Sequence, residues 1–104
     1  DHRQGVLQDI HWSMGGIGAY CGYALGNLLS VQYYNQALAD RPYIPERIAA
    51  GDFEPLREWL TEHIYKPGRM YTASELTQRV TGEDIQSRDY VAYLQRKFAD
   101  VYGL

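Results

Sequence analysis

Paired cysteines, clustered metal ligands, strongly basic runs and strand-like alternation are all missing from this 104-residue sequence, and each absence closes a class of function. The one cysteine, Cys21, has no partner for an internal disulfide, which fits a reducing compartment and makes the cytoplasm the expected location. Cys21 also has no recognisable activating base, so it is expected to be a small buried hydrophobe and not a nucleophile. Ten basic residues against thirteen acidic ones give a net charge of -3, and the basic ones are scattered. No face for nucleic acid forms. His2, His11 and His63 do not stand at helical ligand spacing and no His-Glu-x-x-His occurs. The chain by itself therefore offers no metal ligand set.

Charge is absent altogether from Ile10 to Ala39. A bilayer span needs about 18 or more predominantly apolar residues in a row, and Asn27, Gln32, Asn35 and Gln36 interrupt this one repeatedly. The stretch reads as a helix buried in protein, with no membrane partner. No signal segment is present, and the opening Asp1-His2-Arg3-Gln4, without methionine, reads as the interior of a longer protein. A chain of this length is expected to make one compact domain, residues 1–104, with a radius of about 13 Å.

The patterns that are present are helical. Gly5 to Gly18 has no sustained period, and its glycines at 15, 16 and 18 predict an irregular loop. From Ala19 to Asp40, Tyr20, Tyr23, Ala24, Leu28, Val31 and Leu38 recur at helical steps while Leu25, Leu29 and Tyr33 occupy another face. A helix apolar on most sides must be covered on most sides. Gly18, Gly22, Gly26 and Ser30 form a row of small residues along which a second backbone could approach. Arg41-Pro42 ends this helix. A short one follows from Ile44 to Ala50, stopped at Gly51. Asp52 is the expected N-cap of the next, with Phe53, Leu56, Trp59, Leu60 and Ile64 as its apolar stripe and Pro67-Gly68 as its end. Thr72 and Glu75 have capping-box spacing for a helix reaching Gly82. Ser87 is the expected cap of the last, which would bury Tyr90, Val91, Leu94, Phe98 and Val101. The fold class is all-α, with a glycine-rich loop followed by about five helices.

Gly15-Gly16-Ile17-Gly18 is no nucleotide fingerprint, since no strand precedes it, the dinucleotide spacing is absent and no Gly-Lys-Ser/Thr follows. The chemistry lies just before it. Gln8, Asp9, His11 and Trp12 place four hydrogen-bonding side chains within five positions, beside an apolar helix. Such crowding is costly unless the groups satisfy one another or a ligand. Two readings of His11 stand side by side: a structural imidazole held by Asp9 or a carbonyl and shielded by Trp12, or a ring that faces a ligand.

Gly5-Val-Leu-Gln8-Asp9-Ile-His11-Trp12 fits the signature G-x-x-Q-D-x-H-W, and the match continues through Gly15, Gly18, Tyr23, Leu25, Gly26 and Asn27, then "GDFEPLREWLTEHIYKPGRMY", "ELTQRVTGE" and "YLQRKFADVYGL". With these residues the chain resembles the carboxypeptidase Taq family, thermostable zinc carboxypeptidases that are several times longer. The resemblance covers essentially all of this chain, as the C-terminal part of such an enzyme. It implies a mostly helical, usually homodimeric, metal-dependent exopeptidase that removes C-terminal amino acids from peptides. The zinc, or another divalent metal, would be held by the upstream half of the parent. His11 would then contact the substrate backbone or transition state, Gln8 and Asp9 would orient it, and Trp12 would pack beneath. Tyr23 would be the phenol donor to the developing oxyanion. After Gly18 the family commonly reads Tyr-Phe-Pro-Thr-Tyr, whereas this chain has Ala19-Tyr20-Cys21-Gly22-Tyr23, so the first tyrosine is missing and Tyr20 is the candidate to take its place. The isolated chain is expected to be inactive and to form a homo-oligomer through its bare helix. The alternative is a non-enzymatic helical module, derived from such a peptidase, whose role is self-association.

Overall fold

The computed structural model describes residues 1–5 and 8–104; Val6 and Leu7, inside the Gly5 to Trp12 signature, lie outside the described residues. Among the described residues there are six α-helices and no strand. They are α1 (Ile10–Ser13), α2 (Tyr20–Asp40), α3 (Ile44–Ala49), α4 (Glu54–Leu60), α5 (Ala73–Thr81) and α6 (Arg88–Tyr102), with 3-10 turns at His2–Gln4 and Gly68–Met70. None of the described helices is long and apolar enough to cross a membrane.

The segment expected to be irregular contains one helical turn. Asp9 nucleates α1 by accepting the His11 backbone N–H at 2.9 Å, a cap strong enough to order four residues that have no periodicity of their own. At α4 the N-cap position is occupied by Phe53 and not by the expected Asp52, which stands one residue earlier and accepts the Glu54 N–H at 2.9 Å. Thr72 and Glu75 form the reciprocal capping box of α5, which stops at Gly82. Ser87 occupies its expected position but makes no side-chain cap; Gln86 Oε1 accepts the Asp89 N–H instead, at 3.3 Å. Beyond Leu60 the helix continues as a π turn, Thr61–Tyr65, closed by Lys66 N–H to the Thr61 carbonyl at 2.9 Å. The Thr61 hydroxyl bonds back to the Arg57 carbonyl at 2.7 Å, competing with the regular ladder where it loosens.

The core sits at the C-terminal half of α2. Ala37, Ile44 and Trp59 are buried there, with Tyr33, Leu38, Ile48, Leu56 and Ile64 packed around them. Polar groups that enter this region are matched. Trp59 Nε1 donates to Asp40 Oδ2 at 2.8 Å, and the Tyr33 hydroxyl meets Thr77 Oγ1 at 2.8 Å. Buried Gln32 donates to the Asp84 carbonyl at 3.0 Å and accepts the Gln86 N–H at 3.4 Å, tying α2 to the α5–α6 connection.

The N-terminal half of α2 projects out of this core. The radius of gyration is 17.4 Å, well above the roughly 13 Å of a compact 104-residue domain. The accessible surface is 7896 Å², where a compact monomer of this mass exposes about 6,000 Å². Several expectations of burial fail for this reason. Cys21 is exposed, its thiol donating to the Gly18 carbonyl at 2.9 Å. A Cβ added at Gly22 or Gly26 would meet nothing within 4 Å, so no backbone among the described residues closes on the small-residue row at these two positions. On α6 only Tyr90 and Leu94 of the expected face are half-buried, while Val91, Phe98 and Val101 are exposed. Apolar periodicity marks a face to be covered, and the described residues do not themselves supply the cover.

Candidate active site

Two side chains, one from each side of the glycine turn, converge on one carboxylate oxygen. Asp9 Oδ1 accepts the His11 backbone N–H at 2.9 Å and the Tyr20 hydroxyl at 2.8 Å, and lies 3.0 Å from His11 Nδ1. The same Nδ1 is 3.0 Å from the Tyr20 hydroxyl oxygen, and the two rings tilt against each other with centroids 4.8 Å apart. Asp9 and His11 are brought together by the single turn of α1, whereas Tyr20 arrives as the first residue of α2.

The glycine turn is what permits this approach. Gly16 N–H donates to the His11 carbonyl at 2.6 Å, and a Cβ on Gly16 would stand only 3.1 Å from that same oxygen. Gly18, with φ of 78°, then reverses the chain into α2 through a left-handed conformation that other residues adopt only with strain. The run that imitates a nucleotide motif is thus a hinge that folds Tyr20 back onto Asp9.

Electrostatics follow from the bonding. Partial desolvation pushes the Asp9 carboxyl up, but the His11 backbone N–H, the Tyr20 hydroxyl and the His11 ring together outweigh it and hold Asp9 below the usual carboxylate range. The hydrogen bond to Asp9 in turn raises the Tyr20 phenol above its ordinary value, with desolvation adding in the same direction. Tyr20 therefore keeps its proton at neutral pH.

His11, Ala19, Gly22 and Tyr23 line an open depression of about 390 Å³ beside this cluster. Tyr23 is 64% exposed at its edge, its ring 6.0 Å from that of Tyr20. Gln8 and Trp12 are placed elsewhere. The Gln8 amide donates to the Arg3 carbonyl at 2.6 Å, so Asp9 and Tyr20, not Gln8, hold the imidazole. Trp12 is 59% exposed and forms no floor under His11 within this chain. Tyr20 as a partner of Asp9 was invisible in the sequence, since the contact spans eleven positions across the turn. Among the described residues no three His, Cys, Asp or Glu side chains gather as metal ligands. Asp9 and His11 stand as a pair, and the Asp9 oxygen that faces His11 already has three polar partners. A catalytic metal does not fit the described residues of this chain.

The sequence and the helical fold both match a family of metallopeptidases. The family model described as carboxypeptidase Taq (M32) metallopeptidase matches residues 1–98, and the chain belongs to that family. It is 38% identical over 103 residues to thermostable carboxypeptidase 1 of Thermus thermophilus, covering 99% of this chain and 20% of that protein. To carboxypeptidase 1 of Bacillus subtilis it is 33% identical over 101 residues, which is 97% of this chain and 20% of that one. The crystal structure of an M32 carboxypeptidase from Deinococcus radiodurans superposes with a TM-score of 0.88 at 41% identity, over 94% of this chain and 20% of the other. The chain thus spans about a fifth of the length of the relatives it matches.

Proposed function

We propose that this chain forms one wall of the substrate groove in a metal-dependent carboxypeptidase that removes C-terminal amino acids from peptides, the metal being carried by parts of the parent protein outside this chain. Asp9 and His11 work as an oriented pair in which the carboxylate fixes the ring and the imidazole hydrogen-bonds the substrate backbone. Tyr23, exposed at the edge of the depression, is the donor to negative charge developing on the scissile carbonyl oxygen. Gln8 supports the segment from behind through Arg3. Separated from the rest of the enzyme, the chain has no peptidase activity of its own, because the wall alone cannot activate a nucleophile.

The observation that carries this reading is the placement of His11. It is held by two partners at 3.0 Å, yet its side chain remains 35% accessible at the edge of an open depression. A ring fixed on one side and open on the other is placed to meet a ligand. In the full-length parent, His11→Ala is expected to lower kcat/KM on a peptide substrate by about 10²-fold, the scale of one lost transition-state hydrogen bond, while the thermal midpoint barely moves. A variant that loses folding stability and turnover in equal measure would return His11 to a scaffold role.

A further inference from the structure

The hydroxyl of Tyr20 has two neighbours and one proton. Its oxygen lies 2.8 Å from Asp9 Oδ1 and 3.0 Å from His11 Nδ1. Asp9 is an acceptor-only carboxylate that already takes the His11 backbone N–H at 2.9 Å. Were the Tyr20 proton given to Nδ1, the Asp9 oxygen would face two lone pairs, one on the phenol and one on the ring nitrogen, both at hydrogen-bond distance. Were it given to Asp9, the phenol would present a lone pair to Nδ1, and so would Asp9 at 3.0 Å. Two acceptors around one ring nitrogen require that nitrogen to carry the hydrogen. Only the second arrangement pairs every group.

We propose that Tyr20 is a positioning residue for His11: its hydroxyl, donated to Asp9 and accepting from Nδ1, holds the ring in the Nδ1–H form and leaves Nε2 as the nitrogen available to substrate. The neutral ring then offers Nε2 as an acceptor, matched to a peptide N–H. This deepens the reading of His11 as a substrate contact and rests on it for its functional consequence, though not for its geometry. It also removes Tyr20 from the role of oxyanion donor, because its one proton is committed to Asp9. That role falls to Tyr23. Two features make the arrangement rigid. The Tyr20 backbone is fixed at the start of a 21-residue helix, and its ring packs on the imidazole with centroids 4.8 Å apart.

Tyr20→Phe tests this, since it removes the hydroxyl while keeping the ring. In the full-length enzyme with 15N-labelled histidine, the two-bond proton–nitrogen correlations of the His11 ring report which nitrogen carries the hydrogen. The wild-type neutral ring is expected in the Nδ1–H form. In Tyr20→Phe the ratio of the Nδ1–H to the Nε2–H form is expected to fall about five- to tenfold, the effect of one lost hydrogen bond between neutral groups. kcat/KM should fall by a similar factor with the thermal midpoint unchanged. A wild-type ring in the Nε2–H form overturns the proposal outright, as does a tautomer ratio unchanged by the substitution. The tautomer measurement needs no turnover, so it decides the role of Tyr20 even where His11→Ala shows that His11 does not contact substrate. An altered tautomer ratio with unaltered kcat/KM would leave the positioning intact and defeat only its catalytic consequence.

Discussion

The contact between Trp59 and Asp40 makes a quantitative prediction about how this fold is held. Trp59 is 1% exposed, and its indole N–H reaches the carboxylate at the last residue of α2 at 2.8 Å. Replacing Asp40 by alanine strands that N–H in the core, which costs about 1–3 kcal/mol for an unsatisfied buried donor. Replacing Trp59 by phenylalanine instead removes the donor. The released carboxylate is solvent-exposed and returns to water, so the cost is mainly the smaller ring, about 1–2 kcal/mol of lost packing. Once phenylalanine is in place, Asp40→Ala should cost little. A negative charge at a helix C-terminus opposes the helix dipole by about 0.3–1 kcal/mol, which offsets the lost bond from Gln36 to Asp40. The double-mutant cycle, measured by urea unfolding of the full-length protein with far-UV circular dichroism, should therefore give a coupling of about 1–2 kcal/mol. An Asp40→Ala cost that is the same in both backgrounds would refute this account, because it would mean that the hydrogen bond contributes nothing specific.

Two further expectations concern charge and surface. The Asp52, Glu54, Glu75 and Asp84 carboxyls are held below their ordinary range chiefly by hydrogen bonds from the Glu54 N–H, Arg57, the Thr72 N–H and Ser74 respectively, and Asp9 by the bonds that outweigh its desolvation. Because each folded-state value is depressed, its contribution is present above the unfolded values near pH 4 and is lost as pH falls through the folded ones; the urea midpoint should be level above about pH 5 and drop below about pH 4, and a midpoint indifferent to acid would contradict these bonds. The chain produced alone exposes about 1,900 Å² more than a compact monomer of its mass, more than twice what one partner contributes to a standard interface. It should sediment as a homo-oligomer, and a well-folded monomer at high concentration would argue against that.

Local chemistry made much of this legible in advance. The Thr72–Glu75 box, Asp52 at the start of α4 and Pro42 after α2 act within four residues of their effect, so spacing alone reveals them. Residues whose role depends on distant partners were hidden. Gln32 reads as an interruption of an apolar run, yet it is the buried peg that binds the α5–α6 connection across more than fifty positions. Ser87 had the right type for a cap, but Gln86 took the bond because its longer amide reaches the Asp89 N–H. At the site, Asp9 beside His11 followed from adjacency. The third member did not, because bringing Tyr20 over depends on the close Gly16 turn and the reversal at Gly18. Cys21 was misplaced by a rule about average burial that assumes a complete core.

Helix α2 is anchored at one end and free at the other. Seventeen residues separate Tyr20 from buried Ala37, a lever arm of about 26 Å at 1.5 Å per residue. A tilt of roughly two degrees about the anchored end would swing the tip by about 0.9 Å, and the Asp9, His11 and Tyr20 cluster, bonded to that tip across the glycine turn, would ride with it. The position of the imidazole relative to the core is thus slaved to how firmly the far end of one rod is clamped, and substitutions around Trp59 should displace the cluster while leaving its internal bonds intact.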